Sequence, residues 1–228
     1  MAGKLYGIGV GPGDPELMTL KAVKVIRQCD GIAVPGEDYE TSVAYKIALE
    51  AVPELKKKEI QAIRMPMTKE KDVLEQSYRE GAARLKVWLD QGKTVGFLTL
   101  GDVTIYSTYL YLHRLIRQAG YDTELVSGIP SFCAAAARME MGLVEGAQEL
   151  HIIPASYQIE ESLSLEGTKV FMKSGKQIGR VKEQLKAAGM EAVMVERCGM
   201  EGEKLYHSLD EISDQAGYYS LIIAKETH

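Results

Sequence analysis

The residues best equipped for chemistry stand in three short segments, "GIGVGPGD" (7–14), "LGDVTIYST" (100–108) and "GIPSFCAAAA" (128–137). In the second, an apolar run ends on Gly101-Asp102, and Thr104, Ser107 and Thr108 follow before the next helical pattern. A connection between two elements does not need that much polarity, whereas a ligand site does. Asp102 offers a carboxylate to a cation or a proton, and the hydroxyls both donate and accept hydrogen bonds. Ser107 and Thr108 suit helix capping equally well.

The first segment invites comparison with the glycine fingerprint of dinucleotide-binding folds, but the spacing refuses it. Reading from Gly7-x-Gly9 puts Pro12 where the third glycine belongs, and reading from Gly9-x-Gly11 puts Asp14 there. That third glycine exists to let helix and strand pack closely. An acidic residue at the helix start repels a pyrophosphate, and no phosphate-loop lysine follows. A tight strand-to-helix turn, for which glycine is well suited, is the competing reading.

Composition narrows the function further. The chain has 228 residues, 46% of them hydrophobic, with a net charge of −5. That length allows one large or two small domains, and the apolar fraction is that of a globular protein with a full core. An acidic balance argues against a nucleic-acid or anionic-membrane partner. Cys29, Cys133 and Cys198 are odd in number, far apart and outside any CxxC pair, against both a disulfide framework and a structural zinc site. His113, His151, His207 and His228 are scattered and make no metal spacing, and His113 borders an apolar helical stripe. No targeting segment is evident and no apolar run approaches about 18–20 residues, so a cytoplasmic protein is expected.

Elements that would position the segments follow from periodicity. "KLYGIGV" (4–10) reads as a buried strand, and a helix is expected from Pro15 with Asp14 as its N-cap. "GIAVP" and "EIQAIRMP" read as strands around a helix at "TSVAYKIALEAV", and a long helix is expected from about 70 to 90. After the strand at 94–99, Ile105, Tyr109, Leu112, Ile116 and Ala119 form one helical stripe that Gly120 ends. "TELVSG" is a fifth strand. This alternation predicts a mostly parallel sheet with both faces covered. Beyond the helix "SFCAAAARMEMG", five strand-like runs share one convincing helix, "IGRVKEQLKAAG", which predicts a mixed sheet. The expected class is α/β in two domains, an N-terminal mostly parallel sheet flanked by helices (1–127) and a C-terminal mixed-sheet α/β domain (128–228). Lys56-Lys57-Lys58 reads as a solvated turn.

Taken together, "GVGPGD", "LGDVTIYST" and "GIPSFCAAAA", in that order and spacing, resemble the tetrapyrrole methylases, the S-adenosylmethionine-dependent methyltransferases of cobalamin and sirohaem synthesis. "TIYSTYLYLH", "VFMKSGK" (170–176) and "YYSLIIAK" (218–225) resemble the branch that methylates C-20 of precorrin-2 or cobalt-factor II. Two departures stand out. Val103 replaces the proline usual after Gly-Asp, and proline fixes φ where valine does not. A carboxylate proposed as a base in the sirohaem branch aligns near Pro35, so no base is carried over from it.

The resemblance implies S-adenosyl-L-methionine held in an interdomain cleft, a homodimer, and a small-molecule tetrapyrrole substrate bearing eight carboxylates, either cobalt-factor II or precorrin-2. It implies a cofactor pocket of Pro12, Leu100, Gly101, Asp102, Ile105, Tyr106, Thr108, Ser131, Phe132 and Met172, with core packing the rival reading of Phe132 and Met172. No metal site is implied, since cobalt would arrive inside the substrate. Proximity and alignment can supply on the order of 7–11 kcal/mol of such a transfer. Asp102 is the only carboxylate that the motif offers as a base, and orientation of cofactor or substrate is its other role. Candidate contacts for the substrate carboxylates are Arg64, Arg114, Lys173, Lys176, Arg180 and Arg197, while solvation is the default for Arg114 and Arg117. Alternatives are a methylase acting at another ring position or on diphthamide, and a non-catalytic small-molecule sensor of the same fold.

Overall fold

The computed structural model describes residues 2–155 and 159–226. It divides into two compact units, Met1–Pro130 and Ser131–His228, so the second unit starts at 131 where the sequence reading started it at 128.

The first unit alternates strands and helices. They are β1 (Lys4–Gly9), α1 (Leu20–Gln28), β2 (Gly31–Pro35), α2 (Val43–Ala51), β3 (Glu59–Ile63), α3 (Lys71–Asp90), β4 (Thr94–Thr99), α4 (Tyr109–Gln118) and β5 (Asp122–Val126). The strands form one sheet in the order β3-β2-β4-β1-β5, with every pairing parallel. Side chains alternate across it. Ile8, Ile32, Val34 and Leu98 pack under α1 and α2. Leu5, Ala33, Val95 and Phe97 pack under α3 and α4. Burial on both faces is why these strands read as continuous apolar runs.

Three local expectations need correction. The helix expected from Pro15 begins only at Leu20. Asp14 does cap, accepting from the Glu16 amide, but what it starts is a 3-10 turn at Pro15–Leu17. Thr19 then supplies a second cap by accepting from the Ala22 amide, and α1 proper starts there. Ile105 lies ahead of α4, in the loop, so the helical stripe starts at Tyr109. Lys58 is no solvated bystander, since its Nζ donates to the carbonyls of Arg27 and Cys29 and closes the C-terminal end of α1.

The second unit contains α5 (Ser131–Arg138), β6 (Leu150–Pro154), a single turn α6 (Glu160–Leu163), β7 (Thr168–Met172), α7 (Ile178–Ala187), β8 (Met190–Glu196), β9 (Lys204–Tyr206) and β10 (Ser220–Glu226). Its sheet runs β6-β7-β10-β8-β9. The β6–β7 pair is parallel and the other three pairs are antiparallel, as a stretch with too few crossover helices requires. Phe171, Met194, Ile222, Ile178 and Leu185 lie in its core. No helix among the described residues is long and apolar enough to cross a membrane.

Candidate active site

In the first unit β1 and β4 are neighbours, yet the chain leaves them toward opposite faces. The segment after β1 leads to α1 on one face, and the segment after β4 leads to α4 on the other. Open α/β sheets bind ligands in the crevice that such a reversal opens beyond the carboxyl ends of the strands. The segments that follow β1 and β4 are "VGPGD" and "LGDVTIYST".

Backbone contacts bind these segments together. Val10 N–H donates to the Thr99 carbonyl at 3.0 Å. Gly11 and Gly101 exchange both bonds, at 3.2 Å and 2.7 Å, in an isolated antiparallel bridge. Gly101 sits at φ +71°, a left-handed conformation that glycine adopts without steric cost. The backbone itself therefore requires glycine at this position. Beyond β5, a Cβ on Gly128 would lie 2.2 Å from the Gly101 carbonyl oxygen and 2.7 Å from the Gly9 carbonyl carbon. A Cβ on Gly9 would lie 2.6 Å from the Gly128 nitrogen. Three neighbouring strands thus end in glycines that touch backbone to backbone.

Asp102 crosses this knot with its side chain. Oδ1 accepts from the Thr104 amide at 2.7 Å and from the Thr104 hydroxyl. Oδ2 accepts from the Gly128 amide at 2.9 Å, and the residue is only 7% exposed. On the far side, the Thr19 hydroxyl donates to the Ser127 carbonyl at 3.2 Å. Val103 is fully buried in the cluster under α3 and α4. Burial of a valine is worth roughly 1.5–3 kcal/mol, so packing anchors the loop where proline would have stiffened it.

The other expected pocket positions of this unit follow in order. Pro12 is buried beside the Gly11–Gly101 bridge in sequence, and Leu100 is half-buried against the α1–α2 cluster. Ile105 is half-buried. Tyr106 is 40% exposed and takes φ +48°, which for a bulky residue is strained backbone of the kind that clusters at functional loops. Ser107 Oγ is 3.2 Å from Thr99 Oγ1, so it ties the loop back to β4 instead of capping α4. Thr108 stands at the N-cap of α4 without a side-chain cap bond and is exposed. Behind the loop Tyr109 is buried against Phe97, ring centroids 4.9 Å apart, with its hydroxyl 3.2 Å from His113 Nδ1. Burial, then Arg117 and Arg114, lower the His113 pKa and favour the neutral ring, which can accept that bond.

In the second unit, Ser131 and Phe132 open α5, with Phe132 buried, and Met172 is the half-buried end of β7. Lys173 follows at φ +58°, half-buried, and burial lowers its pKa. Several expected substrate contacts have other engagements. Arg180 pairs with Glu160, and Arg197 Nε donates to the Glu201 carbonyl at 2.7 Å. In the first unit Arg64 pairs with Glu37 at 3.0 Å, and Arg114 lies over the Tyr111 ring at 4.7 Å. The Lys176 side chain and His228 lie outside the described residues. Among those described, no group of three or more His, Cys, Asp or Glu side chains could hold a metal ion.

Gly9 and Gly128, as backbone contacts of Gly101, are the site residues that sequence reasoning did not single out, and Thr104 was noted for its hydroxyl without its bond to Asp102. A signal for both glycines was present, since glycine falls at or just past the end of three strands, at 9, 101 and 128.

The residue types do not suit a nucleotide phosphate. Segments 7–14, 99–108 and 126–131 contain no lysine or arginine. They offer hydroxyls, backbone carbonyls and the apolar Pro12 and Ile105, and no cationic side chain that would oppose a positively charged ligand. Asp14 at the 3-10 turn is equally unsuited to phosphate.

An open parallel α/β sheet with a glycine-rich reversal point, in a chain that also has a mixed-sheet α/β unit, is the architecture of a small-molecule-binding protein. Residues 4–213 match the family Tetrapyrrole (Corrin/Porphyrin) Methylases, and the chain belongs to that family. It is 36% identical over 227 residues to the probable cobalt-precorrin-2 C(20)-methyltransferase of Methanocaldococcus jannaschii, covering 97% of this chain and 96% of that one. It is 32% identical over 234 residues to the cobalt-precorrin-2 C(20)-methyltransferase of Salmonella typhimurium, covering 99% and 98%. Identity to the precorrin-2 C(20)-methyltransferase of a Sinorhizobium species is 30% over 237 residues, covering 97% and 94%. Among solved structures, the uroporphyrin-III C-methyl transferase of Thermus thermophilus complexed with S-adenyl homocysteine superposes with a TM-score of 0.72 at 19% identity, covering 98% of each chain. At that identity the likeness is one of fold.

Proposed function

We propose that this protein transfers a methyl group from S-adenosyl-L-methionine to C-20 of cobalt-factor II (or precorrin-2) in cobalamin biosynthesis. The observation that carries the reading is near-full-length identity to proteins named as C-20 methyltransferases, 36% and 32% for two whose names specify the cobalt form and 30% for one named for precorrin-2. S-adenosylmethionine, when bound, supplies the methyl group. In this reading Pro12, Leu100, Gly101, Ile105, Tyr106 and Thr108 of the first unit hold it. The fixed loop ends beyond β1, β4 and β5 support alignment as the main source of rate.

The test is mass spectrometry of the product after incubation with S-adenosylmethionine and either the cobalt or the metal-free substrate. Gain of one methyl group on the cobalt form, with slower or no gain on the metal-free form, is expected. The reverse preference would move the assignment to precorrin-2. Calorimetry with S-adenosylhomocysteine should show binding without added metal or nicotinamide. No heat and no thermal shift at millimolar ligand would overturn the methyltransferase reading, because a ligand that binds only the native state must stabilise it. The working unit in this reading is a homodimer of twofold symmetry in the cytoplasm. Sedimentation at micromolar concentration should give about twice the 25.1 kDa of one chain, and a mass near 25.1 kDa would overturn the dimer.

A further inference from the structure

The geometry points to Asp102 as a positioning residue. Its carboxylate locks the loop after β4 to the loop after β5 and thereby presets the 102–108 loop for the cofactor, instead of taking a proton from the substrate. The inference rests on the cofactor reading above.

Two observations support it. First, the carboxylate is spent within the protein. A carboxylate has about four lone-pair sites, and three donors already occupy this one, namely the Thr104 amide, the Thr104 hydroxyl and the Gly128 amide. A general base needs an oxygen within reach of the proton it removes, and burial at 7% exposure leaves this one little room. Second, the same two loops meet again through their backbones, where the Gly101 carbonyl packs against Gly128 too closely for any Cβ. Side chain and main chain thus clamp the same two loops, through Asp102 and Gly101 on one and Gly128 on the other. Only a carboxylate meets the chemistry of this clamp, because it presents an acceptor on both edges. Asparagine would turn its amide nitrogen toward either the Gly128 or the Thr104 donor, and one bond would become a donor–donor contact. Ile105, strained Tyr106 and Thr108 all follow Asp102 in the loop that this clamp starts.

The experiment compares the full chain with Asp102→Asn and Thr104→Val. It reads amide hydrogen exchange in segment 126–132, affinity for S-adenosylhomocysteine, and the pH profile of turnover. In Asp102→Asn, exchange in that segment should accelerate about tenfold or more as the clamp opens. Affinity should fall about tenfold and KM for S-adenosylmethionine rise in step, with kcat within about threefold at saturation. The limbs of the pH profile should stay where the parent has them. A hundredfold loss of kcat on the order expected for a lost base, with the acid limb gone and affinity intact, would overturn the inference. So would unchanged exchange and affinity.

Thr104→Val removes one donor from an exposed side chain and covers the case in which the asparagine variant does not fold. It should weaken S-adenosylhomocysteine about two- to fivefold with an unchanged pH profile, and parent-like affinity would overturn the inference. If the parent itself binds no S-adenosylhomocysteine, the cofactor reading falls, while exchange in 126–132 still decides whether Asp102 holds the two loops together.

Discussion

Gly128→Ala should lower stability by about 3 kcal/mol, the upper end of the usual cost of overpacking, and should take most of the affinity for S-adenosylhomocysteine with it. The added methyl would stand 2.2 Å from the Gly101 carbonyl oxygen, a backbone atom that no change of side-chain rotamer can move. Relief must come from separating the loops after β4 and β5, which breaks the Asp102–Gly128 bond as well. Denaturant unfolding measures the first effect and calorimetry the second. The melting temperature should drop by roughly 6–12 °C for a chain of this size. Gly142→Ala is the control. Its Cβ would meet its nearest neighbour, a Glu145 side-chain oxygen, at an ordinary 3.5 Å, so a change within about 0.5 kcal/mol is expected. A Gly128→Ala protein as stable as the parent would mean that the loops have room to spare.

Tyr109→Ala should cost about 3–5 kcal/mol, the range for removing a large buried aromatic side chain. Tyr109 is 1% exposed, and its ring lies where a Cβ on Gly7 would be, 2.0 Å from Cε1. Gly7 and Tyr109 are therefore complementary, with the bare strand making space for the ring. Tyr109→Phe keeps the ring and loses only the bond to His113, for about 1 kcal/mol. The complementarity can itself be measured. Gly7→Ala should be severe in the parent and much milder in a Tyr109→Ala background, since the cavity then receives the methyl. Additive effects at the two positions would contradict the packing.

The strands were the most legible part of the fold in the sequence. "GIAVP" became β2 without change because both its faces are covered, and a doubly covered strand has to be apolar throughout. The mixed second sheet could be inferred from the shortage of helices to cross over it. Legibility failed where local signals competed. Asp14-Pro15 is a sound helix start, but Thr19-Leu20 is another one five residues on (cap 19 against cap 14), and α1 follows the second. Ile105 and Tyr109 have helical spacing although only Tyr109 is helical, since spacing does not reveal where a helix begins. The single turn α6 is too short to leave a periodic trace.

At the candidate site the sequence revealed the motif but not its internal wiring. Asp102 stood out by type and context. Its partner Gly128 did not, because the bond joins two loops that meet only once β4 and β5 both flank β1. Lys58 shows the same limit, since a run of three lysines looks like solvated charge until the last of them closes a helix from another part of the chain.

The glycine knot draws Gly9 from the start of the first unit and Gly101 and Gly128 from its last third. It cannot exist in a partly assembled sheet. Contacts of such long sequence separation form slowly, because the chain entropy of closing the intervening loops is lost before they reward it. The loops after β1, β4 and β5 are therefore expected to take shape late, after the strands have paired. In the cell this would make cofactor supply a factor in survival of newly made chains. Ligand captured by the last-formed part of the unit holds the whole of it closed, and chains starved of that ligand spend more time open to proteases.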